Sequence, residues 1–83
     1  LADRGIPLQA ILDTISSKRT YIVKYYDHFD GTRRIGFWHP KIQVFVAWKP
    51  GRKSQFKTGF RKRKGIEYMQ NLPGSALIYR AEG

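Results

Sequence analysis

Two histidines, His28 and His39, are the side chains here whose unperturbed titration lies near neutrality, so they are the first candidates for moving protons. His28 follows Asp27 and His39 precedes Pro40, each at the end of an extended run. Thr58 stands in Phe56-Lys57-Thr58-Gly59-Phe60, where strict strand alternation sets Lys57 opposite the side shared by Phe56, Thr58 and Phe60. A strand hydroxyl of this kind can hydrogen-bond a phosphate. Lys57, crowded by other cations, can act as a base once its ammonium form is disfavoured. A base, an acid, a hydroxyl and cations are what metal-free RNA cleavage requires, because RNA brings its own nucleophile in the 2′-hydroxyl. Each residue also has an ordinary alternative: surface turn histidines, and a threonine chosen for its strand preference.

The charge supplies the rest of that chemistry. Sixteen Lys and Arg against six Asp and Glu give 16 − 6 = +10 on 83 residues, well beyond what solubility needs. From Gly31 to Ile66 there is no acidic residue, yet that stretch holds eleven of the sixteen cations. Arg33, Arg34 and Lys41 fall on or beside the middle strands, Lys49, Arg52 and Lys53 crowd Pro50-Gly51, and Lys57 leads to Arg61, Lys62, Arg63 and Lys64. One sheet face and its rim are therefore expected to be positive, with Arg4 before the first helix and Lys18, Arg19 and Thr20 at its end completing a phosphate clamp. Such a surface attracts phosphate backbones by counterion release. Tyr25, Tyr26, Phe37, Trp38, Trp48 and Phe60 are interleaved with the cations. An exposed ring among them, Trp48 included, can stack on an unpaired base, whereas a buried one is core.

Other chemistries are poorly provided for. Without cysteine there is no disulfide framework and no thiolate zinc site, and two histidines with six scattered carboxylates make a metal cage unexpected. No cofactor is expected. There is no Gly-x-Ser-x-Gly, no phosphate-cradling P-loop and no His-x-x-x-His, and DNA cleavage, which normally uses a metal, is disfavoured. No apolar run reaches the length of a membrane span.

These residues need a scaffold, and the apolar pattern describes one. With 41 % hydrophobic and 14 % aromatic residues the chain is expected to fold. Ile6, Leu8, Ile11, Leu12 and Ile15 recur at helical spacing, predicting a helix from about Pro7 to Ser17. Thr20 to Tyr26 and Arg33 to Trp38 read as a hairpin around Asp30-Gly31, Ile42 to Trp48 and Gln55 to Phe60 as two further strands around Pro50-Gly51. Gly65 to Leu72 reads as a short helix and Ala76 to Tyr79 as a last strand. The expectation is a single α+β domain over residues 1–83: a first helix on a twisted antiparallel sheet of four to five strands, one short C-terminal helix, and the other sheet face open. The chain starts at Leu1 and not at Met, so it is expected to be part of a longer polypeptide.

The run Ile42-Gln43-Val44-Phe45-Val46-Ala47-Trp48, a Pro-Gly turn, Phe56-Lys57-Thr58-Gly59-Phe60-Arg61 and Gly65-Ile66-Glu67-Tyr68-Met69-Gln70-Asn71-Leu72 resembles the C-terminal half of bacterial polymorphic-toxin ribonuclease domains. Those belong to the barnase, EndoU, colicin and RelE-like superfamily, which includes the toxin tips of contact-dependent growth-inhibition (CdiA) proteins and colicin D-like tRNases. The resemblance covers about residues 42–72, with weaker agreement at Arg4-Gly5-Ile6. It implies a metal-independent endoribonuclease acting on tRNA, monomeric when free, delivered from the cell surface or by secretion into the cytoplasm of a target bacterium. It also implies a cognate immunity protein, which complementarity with a basic surface makes acidic. Thr58 matches the strand hydroxyl position of the family. The histidine that relatives carry before or on the first helix is missing here, so His28, His39 or a lysine such as Lys57 must replace it. Two readings compete: a non-catalytic RNA- or DNA-binding module, and a domain whose basic surface docks an acidic protein.

Overall fold

Pro7 opens the first helix from outside it. Its backbone is extended, and its carbonyl accepts from the amides of Ala10 and Ile11 at 3.0 and 3.3 Å, so a residue without an N–H leaves no donor unpaired there. The computed structural model describes residues 6–51, 55–75 and 78–80, of which 55–58 are described as backbone. Helix α1 spans Leu8–Ser16. Its apolar stripe is narrower than the spacing implies: Ile11 is buried, while Leu8 and Leu12 point to water.

Five strands follow the helix: β1 (Tyr21–Tyr26), β2 (Arg33–His39), β3 (Val44–Lys49), β4 (Gln55–Arg61) and, after helix α2 (Gly65–Gln70), β5 (Ile78–Arg80). They form one sheet in the order β4-β3-β2-β1-β5 with every neighbour antiparallel, as short connections require. The architecture is the α+β arrangement expected from the sequence. Two boundaries move. β3 starts at Val44 and not at Ile42, because Gln43 adopts φ 58 in a turn closed by its N–H on the His39 carbonyl at 2.7 Å. Of the last strand as expected, Ala76 and Leu77 lie outside the described residues.

The sheet is covered on both sides. Ile6, Ile11, Val44 and Val46 form the core under α1, with Ile15, Phe37 and Ile42 against it. The opposite core joins Val23, Tyr25, Trp38, Phe45, Ala47 and the fully buried Met69 of α2, with Ile66, Tyr68 and Leu72 packed on it. The face expected to stay open is therefore occupied. Although α2 has six residues, it presents enough apolar surface to bury a sheet face that would otherwise be wet.

Trp38 fixes how α2 enters. Its indole Nε1–H donates to the Lys62 carbonyl at 2.8 Å, and a Cβ at Gly65 would lie 2.0 Å from the same ring. The first residue of α2 thus lies flat on the indole, where no other residue fits without displacing a buried ring. Between β3 and β4 the register shifts at Ala47/Trp48: Thr58 pairs with Ala47, Phe56 with Trp48, and Lys57 is the additional residue.

Candidate nucleic-acid interface

One end of the sheet collects the start of β1, the β2–β3 turn, the exit of β4 and the last residue of β5. Local chemistry holds these pieces together. Thr20, expected in the phosphate clamp, is instead buried just before β1 and donates its hydroxyl to the Thr14 carbonyl, and buried Thr14 donates to Ala10 at 2.7 Å, which ties the end of α1 to this end of the sheet. Lys62 N–H donates to the Gln43 carbonyl at 2.7 Å, tying the exit of β4 to the β2–β3 turn.

Eight cations stand on these pieces: Lys18, Arg19, Lys41, Arg61, Lys62, Arg63, Lys64 and Arg80. Four strand-to-strand steps separate Arg61 from Arg80, so the row is about 19 Å wide. Among the described residues, ion pairing touches this row once, where exposed Lys64 approaches Glu67 at 4.0 Å, a contact worth little in water. The Lys62 amine lies 5.0 Å from the centre of the Tyr68 ring and Arg80 5.8 Å from that of Tyr21, so both stems rest on aromatic faces with their charges retained. Arg80 escaped the sequence reading. Its signal is the pairing of β5 with β1, which sets Arg80 beside Tyr21.

Where Lys41 stands, on the α1 side, lies an open pocket of about 450 Å³ lined by Asp13, Ser16 and Ser17 of α1 and its cap and by His39, Lys41 and Ile42 of the turn, while Lys62 and Lys64 line a second open pocket against Glu67, Tyr68 and Asn71 on the α2 side. Arg61 Nη1 reaches the Ile42 carbonyl at 3.5 Å, which places its guanidinium at the rim. His39 is 8 % exposed, and its Nδ1 accepts from Lys41 N–H at 3.1 Å. Asp13 accepts from Gln9 Nε2 at 2.9 Å. The sequence reading had not singled out Asp13, Ser16 and Ser17, although positions 13, 16 and 17 share a helix face by spacing alone.

The remaining expected site residues do not converge on this pocket. His28 lies in the turn after β1, its ring edge-on to Phe29 at 5.4 Å, at the opposite end of β2 from His39, about 20 Å along the strand. The two histidines cannot act on one phosphate. Thr58 is three residues along β4 from Arg61, whose row across the sheet contains Val44 and His39, so its backbone is about 14 Å from that of His39. The side chains of Thr58 and Lys57 lie outside the described residues. The backbone pairing shifts register between Phe56 and Thr58, and the side-chain alternation expected there lies outside the described residues. Arg4 and Lys53 lie outside the described residues.

At the far end the β1–β2 turn is chemically opposite. Arg34, expected to contact phosphate, is 6 % exposed, with Nη1 at 3.6 Å from Asp27 and Nη2 at 3.1 Å from Asp30. Its charge is already neutralised, because the turn brings back two acids that lie just ahead of the acid-free stretch. Arg33 is exposed at the same end, and Trp48 is half-buried in β3 beside Ile35; neither joins the cation row. Asp27 Oδ2 accepts from Phe29 N–H and Asp30 N–H, both at 2.9 Å, and Asp30 Oδ1 accepts from Thr32 N–H at 2.9 Å and from its hydroxyl at 2.6 Å. Those bonds from Thr32, helped by Arg34, hold the Asp30 carboxyl well below the usual carboxylate range. Phe29 at the tip is 93 % exposed. Of the rings proposed for stacking, Tyr25 and Trp38 are core, Phe37 and Phe60 pack against it, and Tyr26 is partly exposed.

Burial, with smaller contributions from Tyr68 and Asp27 opposed by Arg34, pushes the Tyr25 phenol up to about 12, and burial likewise raises Tyr68. Neither ring is a base near neutrality. Among the described residues no three His, Asp or Glu side chains cluster as metal ligands, and no helix is long and apolar enough to cross a membrane. No family model, no curated protein and no solved structure matches this chain.

Proposed function

We propose that this chain is a metal-independent endoribonuclease of the bacterial toxin type that holds RNA, tRNA foremost, along the cation row at one end of its sheet. The observation that carries the reading is the cation row itself, which one weak ion pair touches among the described residues, with Lys41 of the row lining a pocket that also holds a buried imidazole and a carboxylate. Cations in such a row neutralise the charge that accumulates on phosphorus as the 2′-oxygen attacks. In that step the 2′-oxygen bonds to phosphorus, the bond from phosphorus to the 5′-oxygen breaks, the 2′-hydroxyl proton passes to a base, and the 5′-oxygen takes a proton. The product end is a 2′,3′-cyclic phosphate. Delivery into a target bacterium and neutralisation by an acidic immunity protein belong to the same proposal, the second supported by the charge such a partner would complement.

The competing reading is a nucleic-acid-binding module without chemistry. It is favoured by the separation of Thr58, His28 and His39 along and across the sheet. Incubating the purified chain with total tRNA in EDTA distinguishes the two. Discrete fragments ending in cyclic phosphate support the nuclease, whereas salt-sensitive retention without scission supports the module. No RNA binding even at low salt would overturn both.

A further inference from the structure

The pocket between α1 and the β2–β3 turn contains a side chain whose proton is assigned by its own backbone. His39 Nδ1 accepts from Lys41 N–H, so in the neutral ring the proton sits on Nε2. Among the described residues no hydrogen bond engages Nε2, and no fully buried side-chain nitrogen or oxygen lacks a partner. Nε2 is therefore not sealed off, although the ring is 8 % exposed, and the open space that His39 lines is this pocket. Lys41 lines the same pocket, and the α1 side contributes Asp13, one carboxylate oxygen of which accepts from Gln9. The serines are partly committed: Ser16 Oγ donates to Leu12 O at 2.7 Å and Ser17 Oγ accepts from Arg19 N–H at 3.1 Å.

A donor and a cation on one side with a carboxylate on the other do not suit a simple anion, which Asp13 would repel. They suit a ligand that carries anionic oxygens and a hydroxyl donor within a few ångströms of each other. A ribonucleotide does so, with its phosphate and its 2′-hydroxyl. We propose that this pocket is a ribonucleotide subsite: His39 Nε2–H and the Lys41 ammonium hold a phosphate oxygen, and the Asp13 carboxylate accepts from the ribose 2′-hydroxyl. The proposal rests on RNA being the ligand of the cation row. In this role His39 donates from Nε2 while Nδ1 keeps its bond from Lys41 N–H.

The test uses the full chain, an adenosine 3′-monophosphate probe, its 2′-deoxy counterpart and inorganic phosphate, with backbone amide NMR as the readout. The ribonucleotide is expected to shift Asp13, Ser17 and Lys41 amides, with the deoxynucleotide and inorganic phosphate binding several-fold more weakly. His39→Asn keeps an acceptor near the Nδ1 position and lacks the far donor, so it should fold normally and lose about tenfold in affinity, the size of one hydrogen bond to a charged group. His39→Gln carries its amide nitrogen near Nε2 and should retain most of the affinity. Asp13→Ala, which removes the acceptor at an exposed position that endangers folding little, should erase the preference for ribose. Silent pocket amides, equal affinity for inorganic phosphate, or undiminished ribose preference in Asp13→Ala would each overturn the subsite. The total tRNA assay on the unaltered chain keeps the two proposals apart. Cleavage with a silent pocket removes the subsite and leaves the nuclease, and pocket shifts without cleavage do the reverse.

Discussion

The two ends of the β1–β2 pair carry comparable numbers of cations per loop and put them to opposite use. At the Asp27 turn, Asp27 and Asp30 face Arg33 and Arg34, the local sum is zero, and the buried guanidinium sits between two carboxylates. At the His39 end, Lys18, Arg19 and Lys41 join the β4 exit and Arg80, and the acids near them among the described residues are Asp13 and Glu67. In the first region charge serves the fold, because a desolvated guanidinium is tolerable only when paired. In the second it is left facing water, where repulsion between neighbours opposes folding and an incoming polyanion relieves it. Charge density along the chain therefore says little about function until its partners in space are known.

The comparison breaks most severely if the paired end is opened. Arg34→Ala leaves Asp27 partly buried without its cation and is expected to cost about 3 kcal/mol of stability by chemical denaturation, with RNA affinity of the remaining folded fraction unchanged. A loss of RNA affinity at equal folded population would mean that Arg34 contacts RNA after all. Gly65→Ala forces a methyl into the Trp38 ring and should cost about 2 kcal/mol or more, lowering Tm by several degrees. An unchanged Tm would show that the indole can move aside. Neutralising Lys62, Arg63 and Lys64 together should weaken RNA binding by roughly 10- to 100-fold and flatten its salt dependence by about two to three phosphate contacts, uniformly across RNA sequences. Arg33→Glu, at the paired end, should change affinity about twofold at most; a loss matching the triple variant would erase the distinction between the ends.

Smaller effects come from pH. The folded Tyr25 phenol titrates above its unfolded value, so its contribution to stability is complete below pH 10 and is lost as pH rises toward about 12. Tyrosinate absorbance should thus show a late-ionising ring whose appearance coincides with unfolding, and Tyr25→Phe should remove that coincidence. Asp30 has the opposite sign. Its carboxyl is depressed in the fold, so its bonds to Thr32 persist above the ordinary carboxylate range and fail as pH falls below it, with the Thr32 amide reporting the change.

Much of the scaffold was legible because its signals are local. The switch from helical to two-residue period after Ile15, the Asp30-Gly31 and Pro50-Gly51 turns, and the short helix from Gly65 gave every element within a few residues. What escaped depends on pairing across space. Lys57 fits a clean alternation in one dimension, and nothing in Phe56-Lys57-Thr58 announces that β3 will make it the odd residue of a bulge. Arg34 looked free because its partners lie four and seven residues back, across a turn. The polar helix face of Asp13, Ser16 and Ser17 was readable, but not that the β2–β3 turn would close a pocket on it. Phe29 was passed over because strand logic does not extend into a turn.

The hydrogen bond from the Trp38 indole to the Lys62 carbonyl carries a consequence for how the domain meets its ligand. Because a core ring under Gly65 anchors the stretch bearing Arg61 to Lys64, those four charges arrive already arranged, and little conformational freedom remains to be lost on contact. Their reach is then tied to one interior side chain, so a substitution at Trp38 would be felt as altered grip by side chains that never touch it.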